Sequence, residues 1–585
     1  MNRFRAVYRQ APAALLLAVL PAAAFADSKG IVLPPATHTV GGGIDCDFGT
    51  LQAAINAADS GDSIHMISGA FLLLGGGVTV EDKSLSITGG YANCSASIPD
   101  PDNPTELVGD GSDSVVTVDT LMPGSRSVLF RHFVLSGGDG GAAKGGGVDL
   151  GGDALLHLDH VVVEDNQAQY GGGIRIIGGA DTPTLRLSGG SRIGGTSSVD
   201  GGNNATQFGG GLHCWGGAQI ELIDAAINFN TAVSGGGMYL ASCDVSTPAP
   251  GGSGEGLAEI RGNRVLQSGA GVYAGSPSVV ALDSTRQRPV RVTGNQADVD
   301  SLDMIYGSGG GFYLTDADLQ ASGVRIEENH AARGGGIYVT NTGSVDMDRG
   351  NPTGANCAEP IRCSTLSRNT ASSSGGAIHS QNSIVDLRQT FIESNQANNT
   401  SVGCLSASLV VLASVQISGN VSSQAVSSEL LYSNNSGLDF RNVSIALNDS
   451  VRVMRLENTS SAALSDSIFW EPGGAALLQV DGSSSVNASC LNASESGSIA
   501  AETHDPGFWF GSTPPPTIGP PPLLHLADDS PNLDACDAVP VPNPAFDAAG
   551  RPRVQDIGEV PDLAGPLDRG ALEWQPPLFV DGFED

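Results

Sequence analysis

The residues best placed to do chemistry share one slot in a repeated motif. Immediately after each Gly-Gly-Gly-apolar run, or a close copy of it, stand Asp149, Arg175, His213, Tyr239, Tyr273, Tyr313, Tyr338 and His379. Where the apolar residue of a strand points inward, the next one points outward. Four consecutive Tyr in that slot therefore predict an exposed aromatic ladder. Such a ladder has two readings: a platform that stacks on sugar rings or docks a partner, or rings that stack on one another and favour strand pairing. Arg175 and His213 are the one pairing suited to a polysaccharide lyase. That chemistry needs a base, and with Lys only at Lys29, Lys83 and Lys144 it would depend on Arg. A hydrolase would need two opposed carboxylates. Asp316/Asp318 and Asp346/Asp348 alternate so that each pair shares an outer strand face, which makes the four a candidate Ca2+ site or simply solvated acids. His38, His157 and His160 show no metal-ligand spacing, and Arg286, Arg288 and Arg291 read as solvated charge in an insertion.

A repeat must position that slot. An apolar residue stands three before an Asn at Val163/Asn166, Ile227/Asn230, Ile260/Asn263, Val292/Asn295, Ile326/Asn329, Leu366/Asn369, Ile392/Asn395, Ile417/Asn420 and Ile445/Asn448. Weaker copies put Gly137 and Thr196 in the Asn slot, and successive slots then lie 25 to 40 residues apart. A unit of that size cannot bury a face alone, so it must stack on its neighbours. Runs such as Val345-Asp346-Met347-Asp348 and Gln219-Ile220-Glu221-Leu222 alternate with the period of a half-buried strand, and no repeat contains a helix-length pattern. One short strand set per repeat, broken by Gly, predicts a parallel β-helix. Its Asn would sit at a fixed corner, tolerate a left-handed conformation and hydrogen-bond to its stacked copies. Ahead of the repeats, Leu51, Ala54, Ile55 and Ala58 fall on one helical face, which predicts a short helix capping the first coil.

Composition narrows the class. The chain carries 28 Lys and Arg against 62 Asp and Glu, a net charge of −34, which argues against nucleic acid as a partner. Arg3, Arg5 and Arg9 followed by an Ala/Leu-rich stretch to Ala26 read as a secretory signal over residues 1–26. No later run is long and apolar enough for a transmembrane helix. Nine Cys in an exported chain favour disulfides and leave at least one thiol over. Cys46–Cys94, Cys214–Cys243 and Cys357–Cys363 are the expected pairs.

Leu51-Gln52-Ala53-Ala54-Ile55 followed by Gly61-Asp62-Ser63-Ile64, with Gly89-Gly90-Tyr91 and Leu107-Val108-Gly109-Asp110-Gly111, resembles the opening of secreted right-handed parallel β-helix proteins. Copies such as Gly375-Gly376-Ala377-Ile378 are similar to the repeats of polymorphic outer-membrane proteins and bacterial surface adhesins. The tail motifs Ser530-Pro531-Asn532-Leu533-Asp534 and Asp568-Arg569-Gly570-Ala571-Leu572-Glu573 resemble an anchor-type module that follows many such β-helices. In those proteins the module packs over the final coil. The chain lacks the Asp clusters of pectinase-like hydrolases, and its tail lacks the strand-length segments of an autotransporter barrel.

The expected organisation is a signal peptide over 1–26, a linker over 27–45, an all-β right-handed parallel β-helix over 46–500, a Pro-rich capping or anchor-type module over 501–577 and a short motif over 578–585. The expected function is non-catalytic: a secreted or cell-surface protein that meets a glycan or another partner, with Tyr239, Tyr273, Tyr313 and Tyr338 as the binding residues. The alternative is a polysaccharide-degrading enzyme, lyase or glycoside hydrolase, using Arg175 and His213. Apart from the Ca2+ candidate no cofactor is expected.

Overall fold

The computed structural model describes residues 35–122, 124–248, 258–284, 290–297, 307–350, 364–424, 428–471, 476–494, 501–509, 522–527, 529–533, 535–536, 546–549 and 568–572. The signal segment 1–26, the Cys357–Cys363 pair and the motif 578–585 lie outside them. The chain divides after Pro35, and the elements below belong to Ala36–Asp585.

The fold is a right-handed parallel β-helix. Among the described residues the coils form three stacked sheets of 25, 14 and 9 strands, Phe508–Trp509 and His525–Leu526 form a separate two-stranded pair, and there is one α-helix, Leu51–Ala57. The alternating sequence dictates the layering, because each inward side chain lands on its counterpart one coil away. Ile326 pairs in register with Val292 on one side and Leu366 on the other, and all three are 0% exposed. A single core of such residues runs from Val40 to Ala493. The helix caps it with Leu51, Ala54, Ile55 and Ala58 buried, and the Thr50 side chain accepts the Ala53 N–H at its N-terminus.

The Asn series forms one buried line of hydrogen bonds. At each step the backbone N–H and Nδ2 of one Asn donate to the Oδ1 of the next, and Nδ2 also reaches a main-chain carbonyl, as from Asn263 to Asn295 and to Ile227. Three details differ from the sequence reading. Between Asn166 and Asn230 the slot holds Asn203, not Thr196, because residues 195–202 loop out before the corner is reached. The earlier copy is Gly138 rather than Gly137, since the Gly138 N–H donates to Asn166 Oδ1 and Leu135 pairs with Val163. Except at Asn203, the left-handed conformation falls on the residue before the Asn, for example Phe229, Glu328, Arg368 and Ser394 with φ of 56, 57, 53 and 55°. That turn aims the following Asn into the interior. The line ends at Glu471, whose carboxylate accepts the Asn448 N–H and Nδ2.

The ends also depart from expectation. The sheet starts at Thr37–Val40, inside the stretch read as a linker, and pairs with Ser63–Ile67. Among the described residues there are three disulfides: Cys46–Cys94 and Cys214–Cys243 as expected, and Cys490–Cys536, which ties the last long strand to the tail. Cys404 is a free thiol. Described parts of the tail lie along the flank of several coils, not only over the last one. Leu524 N–H donates to Gln416 Oε1, Ser414 Oγ to the Phe546 carbonyl, Ala571 N–H to Ser444 Oγ, and Asn492 Nδ2 to Asn532 Oδ1. Phe391 and Ile468 on that flank explain the docking, because they are outward apolar residues that the tail's Ala548, Leu572, Leu526 and Leu533 cover. No described helix is long and apolar enough to cross a membrane.

Candidate functional site

The outward face of the 14-stranded sheet carries the slot singled out in the sequence. Strand register brings Asp149, Arg175, His213, Tyr239, Tyr273, Tyr313, Tyr338 and His379 into one unbroken row, continued by Cys404, Tyr432 and Arg455. Parallel in-register pairing leaves neighbouring side chains no alternative but to contact. The rings from His213 to His379 stack at centroid separations of 5.5, 4.5, 5.0, 5.1 and 4.8 Å with interplanar angles of 12° or less.

Stacking consumes the ring faces. Tyr338 and His213 are buried, at 7% and 5% exposure, while Tyr239, Tyr273 and Tyr313 keep only partial exposure. Desolvation raises the phenol pKa of all four Tyr and holds His213 and His379 down at about 4, so both imidazoles are neutral near pH 7. The corner glycines allow this packing. Gly235 has φ of 65°, and a Cβ there would sit 2.6 Å from Cβ of Tyr239.

Arg175 and His213 are neighbours in the row but do not converge on a shared carboxylate. Arg175 forms a two-pronged ion pair with Asp149, Nε to Oδ1 at 2.6 Å and Nη2 to Oδ2 at 3.1 Å. His213 stacks on Tyr239, with its Nδ1 buried and without a hydrogen-bond partner. The four Asp of the Ca2+ candidate are offset by register. Asp318 pairs with Ser344 and Asp346 with Gln320, while Asp316 accepts a hydrogen bond from Thr342. Asp346 instead abuts Asp386 on the next coil, and burial followed by that like charge raises its pKa.

A second outward row, two residues further along each strand, was not singled out in the sequence. It runs from Ile177 through Trp215 and Ala241 to Gly275. Trp215 is 57% exposed, and among the described residues its ring has no aromatic partner. Next to it, Asp119, Asp149, Arg175, Ile177 and Asp181 line a groove of about 450 Å3. Strand alternation from His213 would have marked Trp215 as outward; the groove depends on how three coils align. Comparison with protein-family models finds no match, and no curated protein matches the chain.

Proposed function

We propose that this is a secreted or cell-surface parallel β-helix that binds glycan on the outward face of its 14-stranded sheet without cleaving it. Three disulfides support an oxidising compartment outside the cytosol. The observation that carries binding over cleavage is the state of the two catalytic candidates. Arg175 is neutralised by Asp149, and His213 is a buried neutral imidazole whose ring is packed against Tyr239. A lyase base must reach a substrate proton directly or through one water and be free to accept it; His213 is packed inside the stack, and Arg175, although it lines the groove, is held by Asp149 through two hydrogen bonds. The test is a panel of immobilised polysaccharides with parallel assays for unsaturated products and for reducing ends. Retention without turnover is the expected result. Turnover that disappears in Arg175→Ala would establish the enzyme instead.

A further inference from the structure

We infer that the glycan is taken at Trp215 and the groove beside it, and that the groove admits sugars lacking acidic groups. The inference rests on the glycan-binding reading and gives it an address and a selectivity. A sugar ring that stacks on protein needs an aromatic face open to solvent. The Tyr row does not offer one, because each ring is covered on both sides by its neighbours. Trp215 does. The next positions in its own row are Ala241 and Gly275, too small to cover an indole, and its other neighbour is Ile177 at the rim of the groove.

The groove begins at Ile177, the register partner of Trp215, and reaches Asp119, and backbone forms part of its wall. Gly151, Gly152, Gly178 and Gly179 contribute to the lining. At Gly178 a Cβ would lie 2.2 Å from the Gly216 carbonyl oxygen, so that stretch of wall stays free of side chains. A hydroxyl-rich ligand can approach the main chain there.

Charge then decides the class. Arg175 is committed to Asp149 through both hydrogen bonds, and among the described residues no basic side chain pairs with Asp119 or Asp181. Carboxylates accept hydrogen bonds from sugar hydroxyls or ammonium groups and repel uronates and sulfates. The net charge of −34 acts in the same direction. Neutral and ammonium-bearing sugars therefore fit.

The experiment measures binding of neutral, amino-sugar and uronate oligosaccharides to the full chain, to Trp215→Ala and to Asp119→Asn/Asp181→Asn. Neutral or amino-sugar ligands should bind the parent protein, and Trp215→Ala should weaken them about tenfold or more. The exposed position of Trp215 leaves the fold intact, which thermal melts verify. The double Asn variant should gain affinity for uronates. Undiminished binding by folded Trp215→Ala would overturn the address while leaving glycan binding in place. A parent protein that prefers uronates would overturn the selectivity. Failure of every oligosaccharide to bind would remove the glycan-binding reading and this inference together.

Discussion

Asn329 and Asn369, forty residues apart in the chain, are locked together in the interior: the backbone N–H and Nδ2 of Asn329 both donate to Oδ1 of Asn369, at 3.1 and 3.0 Å. Asn369 in turn donates to Asn395 Oδ1 and to the Ile326 carbonyl. Both residues are 0% exposed. Replacing Asn369 with Ala takes the acceptor from the buried Asn329 N–H and the Nδ2 donor from the Ile326 carbonyl, and leaves Asn329 Nδ2 with only the Val292 carbonyl. The cost should be about 2–4 kcal/mol, since each orphaned buried group costs roughly 1–3. Urea melts of Asn369→Ala against Arg368→Ala read the difference. Arg368 pairs with Glu327 and Glu328 at the surface and should cost under about 1 kcal/mol.

That line of Asn shows what the sequence made legible and what it did not. Period and phase were readable, because a strand buried on one face must alternate, and Leu158, Leu222, Leu387, Leu412 and Phe440 are all buried at the position eight before an Asn. The outward row was readable for the same reason. Loop length was not, so Asn203 escaped notice behind its insertion. The tail was hidden for a different reason: outward apolar residues such as Phe391 and Ile468 gain meaning only once the segment that covers them is known. Trp215 was visible as a residue, but the groove beside it arises from three coils in register.

Stability should respond to pH in two opposing ways. His213 and His379 have pKa values held at about 4 against the ordinary 6.5, so the unfolded chain binds more protons between those values. Their contribution is complete above pH 6.5 and is lost as pH falls toward 4, by at most roughly 3 kcal/mol each. Glu471 works in reverse. Burial raises its pKa to about 7 from 4.5, so its contribution is complete below 4.5 and lost as pH rises through 7. Denaturant midpoints should therefore rise between about pH 4.5 and 6.5. Glu471→Gln should steepen that rise, and a shallower profile in this variant would refute the assignment.

Cys490–Cys536 joins the last long strand to the tail across a sequence separation of 46. Closing a loop of that size stabilises the docked tail by about 3–4 kcal/mol in the chain-entropy account. In Cys490→Ser/Cys536→Ser, hydrogen exchange should accelerate at Leu524, Ala548 and Ala571, whose amides bond to Gln416, to Ala571 and to Ser444. The central coils around Asn329 should keep their protection. Equal loss in both regions would mean that the bridge holds the whole solenoid and not the strap alone.

The aromatic row gives the most direct separation of binding from stability. Tyr273 stacks on Tyr239 at 4.5 Å and on Tyr313 at 5.0 Å, and Tyr313 stacks on Tyr338 at 5.1 Å. Replacing both central residues with Ala breaks all three contacts and opens the side of two strands. Each aromatic pair is worth about 0.5–1.5 kcal/mol beyond its buried area, so the double variant should lose roughly 2–4 kcal/mol. Single variants should lose about two-thirds of that, because each breaks two of the three contacts and leaves one outer pair intact. If the rings serve mainly one another, glycan retention by the folded double variant should match that of the parent at equal concentration, and only the melting temperature should fall. A platform role predicts, beside that fall, a tenfold or greater loss of retention, at about 1.4 kcal/mol per decade, by the variant that is still folded. Measuring melting and retention on the same preparation decides between them, because both readings lower the melting temperature and only retention by the folded variant separates them.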